Sequence, residues 1–498
     1  MKKNNIIRIL ITIFIIFIPL LDMLRSTSFK DVEVFGLALI ELINISLIGI
    51  ALLLTLTKVS VKKIIALIIY LIIVGFYVFL HYKNIILFDT NIFAKADFNF
   101  IRESFYILRV YVLPLMLLFV LLNNKDIFNK YYYLKMIKYL IIIISFSIII
   151  LDVFKLSFIS YNDNKHFVLY NIFDYFLYTG DYKQISARGF FDSANELSAI
   201  LLMLMPINIY LFYKEHKNFN IVLYVSQFVA MILLGTRTAA YGALLISIVA
   251  FICYICLIFM KQERKNKFFE KYFTVSALVC TAFLTISPFM LGRINDGTPD
   301  FSVKDISAYK AISKTAVKDV NKLIEKYQSE YMINEYFLKL YPVDKDSEFW
   351  LGIIKRDKAL NNDSRLMKID ILKRIYERNN NQNDKFYGMG YTLNFLDLER
   401  DYYYQYYIFG IFGLLLFICP YFIVLGYLVF RGLLNFKNNF KLTVLLCIMS
   451  VCLGLLIAYY SGHVFGWVGP MMILVLMFGI LSSMIIYEKE VMVNGKEK

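Results

Sequence analysis

The sequence predicts an all-α integral membrane protein with about 12 transmembrane helices. The chain of 498 residues is 59% hydrophobic, and only 18% of its residues are charged. Apolar runs of about 20 residues recur along it, which is the length a helix needs to cross a hydrocarbon core of roughly 30 Å. One long polar segment, residues 292–402, interrupts these runs. The pattern therefore indicates a bundle of spans with one large loop outside the membrane.

The predicted spans fall on both sides of this polar segment. We divide the chain into helices 1–9 (residues 1–291), the loop with amphipathic helices (292–402), and helices 10–12 with a tail (403–498). The charged N-terminal residues resemble the start of a signal peptide, but no small-residue cleavage site follows the apolar run, so we interpret it as a retained span. The spans are 6–24, 34–56, 64–80, 104–122, 137–158, 194–213, 220–235, 239–260, 272–291, 403–430, 442–460 and 467–487.

The orientation of the bundle follows from the positions of lysine and arginine, which collect in cytoplasmic loops. With the N-terminus inside, the loops assigned to the cytoplasm are basic, most densely at 261–271, whereas the loop 292–402 nearly balances its charges. We predict the cytoplasmic (inner) membrane, both termini in the cytoplasm and the large loop outside. The net charge of +15 is then a topology signal and a partner for anionic membrane lipid. No nucleic-acid-binding module is visible, so nucleic acid is not a predicted partner.

The cysteines and sequence motifs give no indication of a metal or a cofactor. All six cysteines fall inside predicted spans. Cys253 and Cys256 have the spacing of zinc ligands, but no second ligand pair accompanies them, so packing is the better interpretation. The sequence contains no Walker motif, no HExxH motif and no dinucleotide fingerprint. We predict no metal site and no cofactor.

Arginines at the predicted outer ends of spans are candidates for binding a phosphate group. Arg188 begins a polar stretch before the sixth span, Arg237 lies in a tight turn, and Arg365 begins a helical pattern at 364–379 in the loop. The apolar face predicted for this loop helix comprises Leu366, Ile369, Leu372, Ile375 and Tyr376. A guanidinium stays charged and offers a planar fork of donors that suits phosphate oxygens. A pyrophosphate anchored on a lipid would present its anion at this depth. The alternative is that these side chains snorkel at the membrane interface.

Two further polar residues are candidates for the same site. Arg109 lies deeper in the fourth span, where a charge is costly unless it is paired or faces a cavity. Asn195 follows Arg188 at the head of the sixth span. It either contacts substrate or, like Ser193, caps the helix.

Carboxylates cluster where the long loop re-enters the membrane, at Asp397, Glu399 and Asp401. A carboxylate close to apolar surface has a raised proton affinity and suits the role of a general base. Acidic residues also favour helix N-termini, and the spacing alone favours that capping role. His463 is a second candidate base, for which a local hydrogen bond is the simpler interpretation.

Four motifs follow one another in order between the spans. They are Arg188-Gly-Phe-Phe-Asp-Ser-Ala-Asn-Glu-Leu-Ser-Ala, Gly235-Thr-Arg-Thr-Ala-Ala, Arg365 with Gly388-Met-Gly390, and Gly410-Ile-Phe-Gly413. Over roughly residues 100 to 480 this set resembles the O-antigen ligase and O-antigen polymerase superfamily. The resemblance implies a GT-C-like membrane glycosyltransferase that uses undecaprenyl-pyrophosphate-linked sugars, with Arg188 and Arg237 on the donor pyrophosphate.

One position departs from the ligase branch of that superfamily. The ligase branch places a histidine eleven residues before the first glycine of its re-entry motif, and counting back from Gly410 gives Glu399. The acidic residue resembles the polymerase-like relatives. We therefore expect a polymerase that joins lipid-linked repeat units into a capsule, exopolysaccharide or O-antigen-like chain. A ligase that moves finished glycan to another acceptor shares all these parts and stays an alternative.

The expected reaction assigns a role to each candidate. Glu399, or its neighbour Asp401, removes the proton of the acceptor hydroxyl, while Arg188 and Arg237 stabilise the departing pyrophosphate without a metal. The expected partners are the undecaprenyl-pyrophosphate-linked donor and acceptor, membrane lipid, a flippase and a chain-length regulator. A flippase or other transporter is a different class of function. The matching halves and interrupted helices typical of transporters are not visible in the sequence.

Overall fold

The structure is a computed structural model that is almost wholly helical. Besides helices and loops, the described residues contain a short antiparallel pair of strands, β1 (Glu33–Val34) and β2 (Leu37–Ala38). Two isolated β-bridges occur elsewhere. The predicted all-α class is confirmed. The structure describes residues 2–27, 33–34, 37–93, 98–161, 166–174, 177, 184–286, 319–328, 331–356, 360–361, 364–391, 398–434 and 441–487.

Ten α-helices are described before the long loop. Two of them follow directly on π-helical turns, Leu108–Val112 before α5 and Phe269–Phe273 before α10. The helices are α1 (Lys2–Thr27), α2 (Leu39–Leu56), α3 (Val61–Ile85), α4 (Phe100–Ile107), α5 (Leu113–Asn123), α6 (Lys130–Val153), α7 (Ala194–Glu215), α8 (Asn218–Leu233), α9 (Arg237–Phe259) and α10 (Thr274–Ile286).

In the described parts of the loop and the C-terminal spans, nine more helices follow. In the loop lie α11 (Val320–Tyr327), α12 (Glu335–Leu340), α13 (Ser347–Lys355), α14 (Ser364–Asn379) and α15 (Asp384–Tyr387). After it come α16 (Asp401–Phe417), α17 (Cys419–Leu433), α18 (Leu442–Tyr460) and α19 (Val468–Ser482), which ends in a π-helical turn, Ser483–Tyr487.

The number of spans is only partly settled. Among the described residues, nine helical stretches are long and apolar enough to cross a membrane. Two other apolar helices, Glu41–Leu56 and Asn218–Leu233, are shorter. The predicted span 272–291 is helical as far as Ile286, and its last five residues lie outside the described part of the chain. The multi-span class is confirmed, and the count of twelve stays a prediction.

The chain forms two compact units, each assembled from separate parts of the sequence. Unit 1 comprises Met1–Ile68, Ile107–Asn295 and Cys419–Lys498. Unit 2 comprises Ile69–Tyr106 and Asp296–Ile418. This grouping follows contacts within the protein, whereas the predicted three-part division follows the sides of the membrane. That division stays a prediction.

Helix α7 forms the centre of unit 1. The apolar part of this helix is completely buried, and the helix packs against α6, α8, α9, α18 and α19. A polar side chain of α7 is bonded inside the bundle, where Asn208 Nδ2 donates to Gln227 Oε1 at 2.6 Å. Ser193 caps its N-terminus, with Oγ accepting from the Glu196 amide. The polar stretch that begins at Arg188 is therefore attached to the most buried helix of the unit.

Unit 2 contains a break in helix α16 at Gly410, where φ is 64° and ψ is −172°. The break leaves carbonyl groups without their helical donors, and a neighbouring segment supplies new ones. The amides of Met389 and Gly390 donate to the carbonyls of Tyr407 and Ile408, both at 2.9 Å. An interrupted apolar helix is tolerated when another part of the protein satisfies the freed groups in this way.

Glycine is required on both sides of this contact because the two backbones touch. A Cβ at Gly388 would lie 2.1 Å from the Ile408 oxygen, and one at Gly410 would lie 2.4 Å from the Phe386 carbonyl carbon. Both glycines also have positive φ, which costs other residues additional strain. Gly388 and Gly410 are therefore positions where backbone packs against backbone.

Candidate functional site

Arg188 lies on a short segment that backbone hydrogen bonds hold on both sides. Its amide donates to the Phe158 carbonyl at 3.0 Å, and the Ala187 amide donates to the Leu233 carbonyl at 2.7 Å. The Arg188 residue is only 6% exposed. This burial is unlike that of a snorkelling side chain, and it gives unit 1 a cation in a fixed position.

Arg237 is the first residue of α9, and its side chain is exposed. The preceding Thr236 caps the helix, with Oγ1 accepting from the Ala239 amide at 3.2 Å. The same Oγ1 is hydrogen-bonded at 2.5 Å to Ser198 Oγ of α7. The positive end of α9 adds to the charge of the guanidinium. Together with the bond from Ala187 to Leu233, these contacts place the two arginine-bearing segments side by side in unit 1.

The structure separates the two interpretations of Asn195. The cap of α7 is Ser193, so the capping role does not belong to Asn195. Its Nδ2 instead lies 3.4 Å from His463 Nε2. His463 thus makes the local hydrogen bond that was the simpler interpretation of this histidine.

Arg109 has a protein partner within its own unit. It lies in the π-helical turn before α5, and its guanidinium forms an ion pair with Glu41 of α2. Pairing reduces the cost of a charge within a span, and π-helical turns are frequent at functional sites. A role for Arg109 in binding pyrophosphate stays a prediction.

Glu399 and Arg365 are partners in unit 2. Glu399 Oε2 lies 2.5 Å from Arg365 Nε, and Lys368 Nζ lies 3.9 Å from Oε1 of the same carboxylate. Both cations belong to the first turns of α14. Nearby cations favour the ionised carboxylate, which is the form a general base needs, but they also weaken its pull on a proton. Glu399, the predicted base, and Arg365, a predicted phosphate-binding residue, therefore form one ion pair.

Asp401, and not Glu399, lies in the first turn of helix α16. Helix α16 begins at Asp401, and its N-cap residue, Arg400, makes no side-chain capping hydrogen bond. Asp401 lies in the first turn and is 3% exposed, where the helix dipole stabilises an anion. Glu399 lies outside the helix with its carboxylate on Arg365. Asp397 lies outside the described residues.

Sequence reasoning missed a buried polar network in unit 2. His81 of α3 is fully buried, and its Nε2 lies 2.9 Å from Glu103 Oε1 of α4. The same Glu103 oxygen accepts the Tyr391 amide at 2.9 Å, and His81 Nδ1 lies 2.5 Å from the Tyr387 carbonyl. The available signal was a histidine at the end of an apolar run. Its partner could not be read from the sequence because Glu103 belongs to a different helix.

A second part of this network holds the loop before Gly388. Asn84 Nδ2 donates at 2.8 Å both to Asp384 Oδ1 and to the Gly388 carbonyl. Burial raises the pKa of Asp384, against the lowering effect of hydrogen bonds from Asn379 and Asn84. The end of α3 is thereby fixed to the motif glycines through side-chain amides.

Among the residues that the structure describes, no group of three histidine, cysteine or acidic side chains is placed to hold a metal ion. Cys253 and Cys256 are free cysteines. The prediction that the protein uses no metal is not tested by this finding.

Comparison with known proteins gives one match. The family model described as "O-antigen ligase like membrane protein" matches residues 4–490. No curated protein matches the chain, and no solved structure matches it. The family match confirms the resemblance that the four motifs predicted.

Proposed function

We propose a specific reaction for this chain, which belongs to the family of O-antigen ligase like membrane proteins. Membership in this family indicates a membrane protein that transfers glycosyl groups and uses lipid-linked glycans as substrates. Within that class we propose a polymerase that joins oligosaccharide repeat units carried on undecaprenyl pyrophosphate. The active loop faces away from the cytoplasm, and the product is a surface polysaccharide.

The observation that carries the proposal is the pair of arginine-bearing segments in unit 1. Arg188 is buried on a segment fixed by hydrogen bonds, and the turn of Arg237 lies beside it. A leaving pyrophosphate gains negative charge as its bond to the sugar breaks. Fixed donors aimed at developing charge stabilise the transition state by several kcal/mol. These arginines are therefore proposed to hold the donor and its leaving group.

The proposed bond changes are those of a substitution at the anomeric carbon. A hydroxyl oxygen of the acceptor sugar bonds to that carbon, and the bond between the carbon and the pyrophosphate oxygen breaks. The hydroxyl proton passes to Glu399, and the lipid pyrophosphate leaves as an anion. The ion pair with Arg365 supports this role because it fixes the position of the Glu399 carboxylate. The supporting sequence observation is that Glu399 stands where the ligase branch has histidine.

Transfer of finished glycan to a different acceptor is the second candidate, and the description of the family favours it. The same donor site serves both reactions, so the acceptor alone distinguishes them. A polymerase lengthens its product repeatedly, whereas a ligase ends with one transfer.

The test uses the full chain in lipid nanodiscs with purified lipid-linked repeat units as both donor and acceptor. We expect a ladder of products that increase by one repeat unit. A single transfer to another acceptor without a ladder would show a ligase instead. If neither product forms while the protein stays monodisperse, the proposed reaction is wrong.

A further inference from the structure

Arg400 of unit 2 stands between the predicted base, Glu399, and helix α16. It is the N-cap residue of α16 but makes no side-chain capping hydrogen bond. Serine, threonine, asparagine and aspartate favour this position because their oxygens accept a hydrogen bond from the helix, whereas arginine brings only donors. A cation is also unfavourable beside the positive end of a helix dipole. Capping therefore gives no reason for an arginine here.

The guanidinium of Arg400 has no protein partner in the part of the chain that the structure describes. Its Nε atom is buried and has no hydrogen-bond partner, although the residue as a whole is partly exposed. Within the described ranges it forms no ion pair with its neighbours, Glu399 and Asp401, and the Glu399 carboxylate lies on Arg365 instead. The residue is thus a cation at the mouth of α16 whose donors the protein does not use.

The arginines of α14, in the same unit, are different. Each has a side-chain nitrogen that lies 2.5, 2.7 or 3.5 Å from a carboxylate oxygen, in the order Arg365, Arg374 and Arg378. A buried donor without an acceptor is destabilising, and such groups are rare in folded proteins. The exception at Arg400 therefore needs a reason, and a bound ligand supplies one.

The guanidinium selects the class of that ligand. It keeps its positive charge and offers five N–H donors and no acceptor. It binds phosphate and carboxylate groups most strongly, because its planar fork matches two of their oxygens. Since no described carboxylate of the chain occupies this position, a bound molecule would supply the oxygens.

We propose that Arg400 binds an oxyanion of the acceptor substrate. The proposal rests on the proposed function, in which Glu399 takes the proton of the acceptor hydroxyl. The Cα atoms of consecutive residues are about 3.8 Å apart, so a molecule that reaches Glu399 also comes within reach of the long Arg400 side chain. Two groups of a lipid-linked acceptor have this chemistry: the pyrophosphate that joins its glycan to the lipid, and an acidic substituent on its sugars.

Arg400→Gln and Arg400→Lys test this assignment. Glutamine removes the charge without removing a hydrogen bond to the described protein, so we expect this variant to keep the Tm of the wild type. Lysine keeps the charge but loses the planar fork. Arg264→Gln is the matched control, because this exposed arginine lies in the basic loop that the topology prediction places on the opposite side of the membrane. A large fall in Tm for Arg400→Gln would show a structural role and overturn the proposal.

The binding test uses the full chain in nanodiscs of neutral phosphatidylcholine and three acceptor probes that cannot act as donors. The first probe is the methyl glycoside of the repeat unit isolated from the native polymer. The second is the same glycoside after its acidic substituents have been removed. The third is this neutral form with a C-glycosidic diphosphate at its reducing end, which has the anion but lacks the bond that transfer breaks. Isothermal titration calorimetry gives the Kd of each probe.

We expect Arg400→Gln to weaken the binding of an anionic probe by about tenfold or more, as the loss of a charge-assisted hydrogen bond implies. The neutral probe should bind both proteins equally, and Arg400→Lys should restore part of the affinity. A loss confined to the diphosphate probe identifies the pyrophosphate as the ligand, whereas a loss confined to the acidic glycoside identifies a sugar substituent.

Three results of this titration would overturn the proposal. The first is a wild type that binds neither anionic probe more tightly than the neutral one. The second is an equal Kd of wild type and Arg400→Gln for all three probes. The third is an equal loss of affinity for the neutral and the anionic probes, or the same loss in Arg264→Gln, since neither depends on a contact between Arg400 and an anion.

Polymer formation separates this inference from the function on which it rests. We expect Arg400→Gln to raise the KM for the anionic acceptor about tenfold and to change kcat much less, as the loss of ground-state binding does. If wild type and Arg400→Gln form polymer equally fast at limiting acceptor, the assignment of Arg400 fails and the polymerase stands. If the anionic probes bind in an Arg400-dependent manner but the wild type forms no polymer, the polymerase fails and Arg400 stands as an anion-binding residue.

Discussion

Two predicted site residues, Arg188 of unit 1 and Glu399 of unit 2, differ in how the structure positions them. In unit 1, Arg188 is held by main-chain hydrogen bonds and is 6% exposed. In unit 2, the Glu399 side chain is held by Arg365, and the two side chains are 23% and 37% exposed. The main chain of unit 2 is fixed nearby by close contact between glycines and carbonyl groups. A side chain that is buried on a fixed segment leaves little room for substitution, whereas a more exposed side chain in an ion pair responds to changes in its partner.

Gly410→Ala should have the largest effect, since it tests the glycine contact itself. The new Cβ would meet the backbone of Phe386 at 2.4 Å, and φ is 64°. Neither the clash nor the strain has an easy relief, so we expect the yield of monodisperse protein to collapse. Gly352→Ala is the control, because nothing lies within 4 Å of a Cβ there. Equal thermal stability of the two variants would contradict the packing role of Gly410.

Glu399→Gln should reduce polymer formation by about 10²–10⁴-fold, the usual contribution of a general base. Donor binding should survive because the arginines of unit 1 are unchanged. Arg365→Gln and the double variant complete the cycle. If Arg365 acts only through Glu399, the double variant should equal Glu399→Gln alone.

Two outcomes, one of which uses the additional variant Asp401→Asn, would reassign the roles. If Glu399→Gln is fully active and Asp401→Asn is not, Asp401 is the base. If Arg365→Gln lowers donor affinity even in the Glu399→Gln background, Arg365 binds the pyrophosphate as the sequence predicted.

Arg188→Lys should reduce the rate by about 10²–10³-fold, as expected for the loss of one preorganised donor. Lysine keeps the charge but loses the planar fork, and the fixed segment cannot move to compensate. Arg237→Lys should cost less because its side chain is exposed. Arg431→Lys, also exposed, is the control. If Arg237→Lys forms polymer more slowly than Arg188→Lys, the contrast between the buried and the exposed cation is refuted.

The smallest expected effect concerns the loop helices of unit 2. Burial alone would raise the pKa of Asp346, but hydrogen bonds from Arg374, at 2.7 and 3.1 Å, hold that pKa below its ordinary value. Because the folded pKa is lowered, this stabilisation is complete above the ordinary aspartate pKa of about 3.9. It is lost as the pH falls through the lower, folded value.

Thermal unfolding of wild type and Arg374→Gln at several pH values tests this linkage. The difference in Tm should be constant between pH 5 and 7 and should narrow at more acidic pH. A difference that widens on acidification would show that Asp346 is not the group that Arg374 stabilises.

The sequence was sufficient for features that depend on local pattern. Hydropathy located the long helices, and the helix predicted at 364–379 is present as Ser364–Asn379. The structure buries Leu372 and Ile375 of the predicted apolar face, but Met367 and Ile371 in place of Leu366 and Ile369. Periodicity gives a helix a face, but the surface it packs against decides its exact rotation.

Features that depend on distant pairing could not be read from the sequence. Arg365 and Glu399 are 34 positions apart, and both had been considered as separate site residues. The sequence showed Gly388 and Gly410 as motif glycines. Glycine is required at these positions because two backbones are in contact, which the sequence did not show. A single sequence contains no record of which backbone approaches which.

The hydrogen bond between His81 and the Tyr387 carbonyl joins residues 306 positions apart. At a synthesis rate of about 5–20 residues per second, the ribosome needs about 15–60 s to make the intervening chain. During that time His81 Nδ1 and the side-chain amide of Asn84, at one end of an apolar helix, lack the partners that residues 384–388 provide. Unit 1 is also incomplete during this time, because its last part begins at Cys419. Membrane insertion must therefore protect the polar end of α3 until most of the protein has been translated.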